Sequence, residues 1–380
     1  MTDCLTIYGR RTAARASEGS MRSNNFSPIC GLKARTFATH VLFGLLFLIP
    51  LSAQAATIEV PPASGGEGIQ QALNQAGAGA QVVLGRGTYL VRKPIILRQD
   101  GQSLRGAGPE TILFLADNAN CPVVILAPPR DKSKGPTQRL HLCGFLVDGN
   151  RTHQQRELWR VLSNGICINN NGVQVCDADN GIIEHVTCRG CRSGGLVSTG
   201  RTRRLTVRDF TASDNQFDGL ACYWTEDSHF NRLNLHDNLA AGISLDLGFA
   251  HNIIDGAVLT GNDSGIFMRD SRDNVFEEVT IRRSRHDGIF MAQAGESTPA
   301  GWQLYNGTEC AGNIFNNLLV VQCGGRAFQV NDDSCTNNII NGGQFLDNAQ
   351  GGLCQPPARP VIPRALTVHP LTVGRDSVEP

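Results

Sequence analysis

Tyr223, Asp246 and Arg269 follow one another in steps of 23 residues, so a chain coiled with that period would set a phenol, a carboxylate and a guanidinium side by side. Trp224, Glu226 and Asp227 stand just after the first of them, His251 after the second, and Asp270, Arg272 and Asp273 after the third. The mixture suits an acidic sugar polymer: Arg pairs bidentately with a uronate carboxylate, Tyr or His moves a proton, and Trp stacks on a sugar ring. Each residue also has a plainer use. Asp246 and Arg269 on neighbouring strands make an ordinary cross-strand ion pair with Tyr223 packed beside it, and Asp227, Asp270 and Asp273 are common turn residues. Together, Glu226, Asp227 and Asp270 would suit a hard cation such as calcium.

Whether these residues meet depends on the repeat that carries them. A glycine followed by an aliphatic residue recurs at Gly165-Ile166, Gly195-Leu196, Gly219-Leu220, Gly242-Ile243, Gly265-Ile266, Gly288-Ile289 and Gly352-Leu353, with three successive steps of 23 residues from Gly219 to Gly288. The longer step from Gly288 to Arg326, where Arg326-Ala327 replaces the motif, implies an inserted loop around Ala294 to Glu309. Apolar residues alternate in Leu233-x-Leu235, Ala257-x-Leu259 and Val279-x-Ile281, the period of strands with one buried face. The first and third residues after each glycine are apolar and face inward. The fourth then faces out, giving the column Asn169, Thr199, Tyr223, Asp246, Arg269, Ala292.

Two asparagine series mark corners of the coil. Asn215, Asn238, Asn262 and Asn348 precede the glycines, with Cys191 and Cys323 in equivalent places; Asn231, Asn252, Asn274, Asn313 and Asn338 recur mid-repeat. A coil of this length is too short for a strand-helix-strand crossover, but it holds three short strands and three turns. Such coils stack in parallel about 4.8 Å apart. The expected fold is an all-β, single-stranded parallel β-helix.

The segment before the regular repeats adds a resemblance. Ile69 to Ala76 reads as a short amphipathic helix able to cap the solenoid. It is followed by Val82-Val83-Leu84-Gly85-Arg86-Gly87-Thr88-Tyr89, then Pro94-Ile95-Ile96-Leu97, then Gly101-Gln102-Ser103-Leu104-Arg105-Gly106-Ala107-Gly108. This order resembles the opening rungs of the pectin-lyase-like superfamily of right-handed parallel β-helices. The resemblance runs from about Thr57 to Leu353 and implies the handedness. It leaves the reaction open, because the fold hosts lyases, hydrolases, epimerases and non-enzymatic adhesins. The Asn-Thr-Asp, Gly-His-Gly and Arg-Ile-Lys motifs of polygalacturonases are not found in the required order, and the calcium-ligand signature of typical pectate lyases is not recognisable.

Composition agrees with a soluble chain without electrostatic specialisation. Basic and acidic residues balance at 34 each, which gives no reason to expect nucleic acid as a partner. Lys33 and Arg35, the apolar run from Val41 to Ile49 and Ala53-Gln54-Ala55 read as an export leader over residues 1–55, with Met21 an alternative start. A secreted or periplasmic location follows, with no membrane span in the mature chain. Residues 56–354 form the β-helix, and 355–380 read as a Pro-rich, disordered tail. Removing Cys4 and Cys30 with the leader leaves eleven of the thirteen cysteines, an odd number. Cys310 and Cys335 both lie three residues before a ladder Asn on adjacent rungs, which makes them the disulfide candidates. Cys188 aligns with inward Ala212 and Leu235 and reads as core filling. The Asp-Gly pairs at Asp218 and Asp287 sit in the turn before the glycine and read as turn residues.

Three functions fit this reading. The first is a lyase or epimerase acting on a uronate-containing polysaccharide, with Arg269, joined by Arg272, neutralising the carboxylate, Tyr223 or His251 moving protons and Asp246 tuning them. The second is a glycoside hydrolase using two of Asp246, Glu226, Asp227 and Asp270. The third is a non-catalytic glycan-binding or surface protein that uses the same strip as a platform.

Overall fold

A computed structural model describes residues 56–129, 133, 135–154, 160–161, 167–168, 170–292, 309–331, 333, 335–355 and 366–374. The leader expected at 1–55, Asn169 and nearly all of the expected inserted loop lie outside them. Inside them the chain is a right-handed parallel β-helix of about 11 turns.

Apart from an antiparallel pair, Arg160–Val161 with Cys167–Ile168, the described strands fall into three parallel sheets of 17, 10 and 6 strands. Alternation explains the ten-stranded sheet directly. Leu220 and Cys222, Ile243 and Leu245, and Ile266 and Met268 are fully buried on the inner face, while the residues between them point outward. In the longest sheet the alternation breaks once per rung. His229–His236 buries Phe230, Leu233 and Leu235, skipping one residue at Arg232, whose φ is 51°. Asp209 and His185 hold the same left-handed conformation one and two rungs earlier, so these long strands bend at this column. Inside, aromatic rings stack along the axis, with Phe276 and Phe315 4.6 Å apart between centroids.

Both corner ladders form, the first with Cys191 and Cys323 in Asn places and the second with Ser228 in one. Asn215, Asn238 and Asn262 hydrogen-bond side chain to side chain at 2.9 Å, and Cys191 donates its backbone N–H to Asn215. Asn252, Asn274, Asn313 and Asn338 form the second ladder, all at most 1% exposed. Asn231 is not part of it: Asn231 points outward between Arg208 and Asp255, and Ser228 takes the corner, donating its backbone N–H to Asn252. Asn231 sits three residues too late in its rung, a shift that simple spacing hides.

The glycines are there because the rungs close tightly beside the ladder. A Cβ on Gly242 would lie 2.8 Å from the Asn262 amide nitrogen, and one on Gly265 would lie 2.3 Å from the Gly288 carbonyl oxygen. Two expected positions shift. Val173 pairs with Leu196, so the motif one rung before Gly195 is Gly172-Val173 rather than Gly165-Ile166, and Cys176 rather than Asn169 precedes Thr199 in the outward column. Ile289 pairs with Phe328, which puts Ala327 in the glycine's place.

At the N-terminal end the helix Gly65–Ala76 lays Ile69, Ala72 and Leu73 on the first rung. Gln102 ties it down by donating from Nε2 to the Leu73 carbonyl at 2.9 Å. The C-terminal tail departs from expectation. Leu366–Val368 and Thr372–Val373 pair in parallel with Asn338–Leu346, and Leu371 packs against the core. The alternation of Leu366 and Val368 is a strand signal that the surrounding prolines mask.

Candidate functional site

The outward column forms where the period places it. Leu220–Tyr223, Ala241–Asp246, Ser264–Arg269 and Ile289–Ala292 are successive strands of the ten-stranded sheet. Tyr223 pairs with Asp246, Leu245 with Met268 and Arg269 with Ala292, so Tyr223, Asp246 and Arg269 stand in one row. The Asp246 side chain is 3% exposed and binds the Arg269 guanidinium through Oδ2, while Oδ1 accepts the Leu247 N–H at 2.8 Å. Arg269 also lies over the Phe267 ring at 5.2 Å, and Phe267 stacks on Phe290 at 5.4 Å. The pair is therefore a buried one backed by aromatic surface, not the solvated surface pair of the plainer reading.

Burial and mutual charge set the protonation states. Burial pushes the Tyr223 phenol far up, and the carboxylates of Asp218 and Asp246 add to it against the opposing Arg269. Tyr223 is thus a neutral proton donor near neutral pH. Asp246 is raised by burial, with Arg269 pulling the other way. Asp270, 4% exposed, is pushed up to about 7 by burial and by the charge of Asp246, with Arg272 opposing. Asp218 is likewise pushed up to about 7 by burial, against the N–H that Ala241 donates to it at 2.9 Å. Two carboxyl groups that titrate near neutrality thus flank a phenol, a carboxylate and a guanidinium.

The remaining expected residues form a separate, exposed group at the next corner. Asp227, His251 and Asp273 occupy one left-handed column with φ of 52°, 58° and 55°. His251 Nδ1 lies 3.9 Å from Asp227 and Nε2 3.8 Å from Asp273, so its carboxylate neighbours are these two, not Asp246. Glu226 pairs with Arg203 at 2.5 Å on the six-stranded sheet, where Ala250 separates it from Arg272. Trp224 turns the corner with its ring 6.5 Å from that of Tyr223. Among the described residues Glu226, Asp227 and Asp270 do not assemble as a calcium set: Glu226 is taken by Arg203, Asp227 by His251, and Asp270 belongs to the buried strip.

The family model described as periplasmic copper-binding protein (NosD) matches residues 145–352, more than half of the chain. The chain belongs to the NosD family. Comparison with curated proteins yields no match. Among solved structures, the NosD-family chain resembles the A-module of the Azotobacter vinelandii mannuronan C-5 epimerase AlgE4. The TM-score is 0.57 at 20% identity, over 76% of this chain and 74% of that one. The A-module of the epimerase AlgE6 from the same organism gives 0.52 at 15% identity, covering 83% and 96%. The endo-xylogalacturonan hydrolase of Aspergillus tubingensis gives 0.53 at 12%, covering 83% and 92%. At these identities the likeness is one of fold, and it agrees with the pectin-lyase-like resemblance.

In the NosD-family chain, Asp218 is the candidate residue that the sequence disguised. Its turn role is real, and Asp287 repeats it by accepting the Arg326 N–H at 2.7 Å. Only the fold shows that Asp218 also reaches the field of Tyr223. Cys188 is buried opposite Ala212, as core filling requires. Cys310 and Cys335 are buried free thiols, and Cys310 hydrogen-bonds Cys335 across adjacent rungs.

Proposed function

We propose that this chain is an exported enzyme acting on a uronate-containing polysaccharide as a lyase or C5 epimerase. The observation that carries the reading is the row Tyr223, Asp246, Arg269 flanked by Asp218 and Asp270, both titrating near neutrality. Arg269 engages the sugar carboxylate and withdraws charge from it, which makes the adjacent C5–H more acidic. Asp270 or Asp218, each about half ionised near pH 7, takes that proton. Tyr223 supplies a proton, to the opposite face of C5 in an epimerase or to the departing glycosidic oxygen in a lyase. Asp246 holds Arg269 in place. The fold neighbours, a mannuronan C-5 epimerase and an endo-xylogalacturonan hydrolase, support the same class of polymer.

The leader-type N-terminus and the periplasmic description of the family support export. The described residues contain no helix long and apolar enough to cross a membrane. The family's copper does not suit this strip. Its carboxylates are hard oxygen donors, Arg269 holds the cation's place, and the Cys222 sulfur faces the core.

The test is a panel of uronate polymers incubated with wild type, Tyr223→Phe and Asp246→Asn. Unsaturated product absorbance marks elimination, solvent deuterium at C5 marks epimerisation, and new reducing ends without unsaturation mark hydrolysis. Turnover by wild type that both variants lose supports the reading. Binding without any conversion by wild type replaces it with the glycan-platform reading.

A further inference from the structure

Three arginines around the row already hold a carboxylate: Arg203 pairs with Glu226 at 2.5 Å, Arg204 with Asp179 and Arg269 with Asp246. Arg201 and Arg272 differ. Both are exposed, and among the described residues neither guanidinium has a hydrogen bond or an ion pair. They stand where the ten-stranded sheet turns into the six-stranded one, on either side of Trp224. Thr202 pairs with Thr225 and donates its N–H to the Trp224 carbonyl at 3.1 Å, which sets Arg201 one rung before the indole. Glu226 pairs with Ala250 and Ala250 with Arg272, which sets Arg272 two rungs after it.

Trp224 itself is costly where it stands. Its φ of 50° lies in the left-handed region, where a bulky side chain is strained and Gly, Asn or Asp is at ease. The indole reaches along the corner as far as Gly248, with Cδ1 4.0 Å from where a Cβ there would stand, and it stays half-buried beside Tyr223. A ring kept partly in solvent at a backbone cost is an apolar platform between two free cations.

We propose that this corner is the track of an acidic glycan, in which Trp224 carries a sugar ring while Arg201 and Arg272 each hold the carboxylate of a different uronate of the same chain. The proposal rests on the uronate reading above and gives it a direction: the polymer lies along the solenoid axis, beside the row. Three rung steps separate Arg201 from Arg272 and Arg269, about 14 Å at about 4.8 Å each. A sugar held at Arg269 therefore meets Arg201 only through further units of its own chain. Two uncompensated guanidinium groups favour a polyanion and add little for a neutral glycan.

The test measures binding apart from turnover. Dimers and octamers of mannuronate and of galacturonate are titrated into the full chain by calorimetry, with xylo-oligosaccharides of the same lengths as carboxylate-free comparators, while tryptophan emission is followed. Uronate octamers should bind wild type about tenfold or more tightly than the dimers or the neutral octamers do. Arg201→Gln should lose about tenfold on uronate octamers and nothing on dimers, which are too short to reach it from Arg269. Trp224→Ala should abolish the emission change and weaken the octamers by a similar factor. Arg282→Gln, at an exposed arginine of the longest sheet, should match wild type, and circular dichroism should show each variant folded. Wild-type affinity for uronate octamers in both folded corner variants overturns the track, and conversion of the polymer by that same wild type leaves the enzyme reading standing without it. Equal affinity for the neutral octamers overturns the track as well. A wild type that binds no uronate of either length overturns the track and the uronate reading together. Length-dependent binding that needs Arg201, without turnover, keeps the track and removes the enzyme.

Discussion

At the scale of single residues, the functional reading rests on how far burial moves a few protons. Arg269→Met would leave the Asp246 carboxylate buried without its cation. It should cost about 3–5 kcal/mol of stability at neutral pH and less in acid, where the carboxyl can take a proton instead. Denaturant melts at two pH values check both parts. Asp218 and Asp270 make a second pH prediction. Their folded values of about 7 lie above the unfolded carboxylate value of about 4. The unfolded chain therefore binds fewer protons than the fold between those limits, and the stability they contribute below pH about 4 is lost as pH rises through about 7. Asp218→Asn with Asp270→Asn should flatten that part of the stability curve relative to wild type. The same titration should give kcat/KM a limb that rises through pH about 7; a rate profile flat from pH 5 to 8 would remove both carboxyls from the chemistry.

The elements depend on rungs that close to within a methyl group. Gly265→Ala would drive a Cβ against the Gly288 carbonyl and the Ile281 side chain, 2.3 and 2.5 Å away, and should destabilise by about 1–3 kcal/mol. Gly79→Ala is no such test, because its left-handed φ of 73° strains an alanine even though the space is open. The inner thiols give an element-scale prediction tied to export. In an oxidising compartment Cys310 and Cys335 should join, so that alkylation under denaturing, non-reducing conditions leaves both unlabelled. Labelling of both in protein recovered from its native compartment would show that they remain thiols.

The molecule as a whole is a stack, and a stack needs its open ends covered. The helix Gly65–Ala76 does this at one end by burying Ile69 and Leu73 completely. Leu73→Asp should uncover the first rung and make the chain self-associate more than wild type, a change visible by light scattering before the core strands lose their amide-exchange protection.

The amino-acid sequence by itself determined the period, the face each strand buries and therefore the row of Tyr223, Asp246 and Arg269. These follow from glycine spacing and alternation, which are local and repeat with the chain. Asn231 and Asn169 show where that logic slips: a lone Asn or a glycine of the wrong rung can mimic the register. Tertiary structure alone decided which groups share a field. His251 answers to Asp227 and Asp273 rather than Asp246, and Asp218 reaches Tyr223 although it reads as a turn residue. His141 meets Glu184 across 43 residues, an interval set by an irregular coil that no 23-residue period anticipates. Desolvation and ligand geometry depend on distances through space, and the sequence encodes those only through the completed fold.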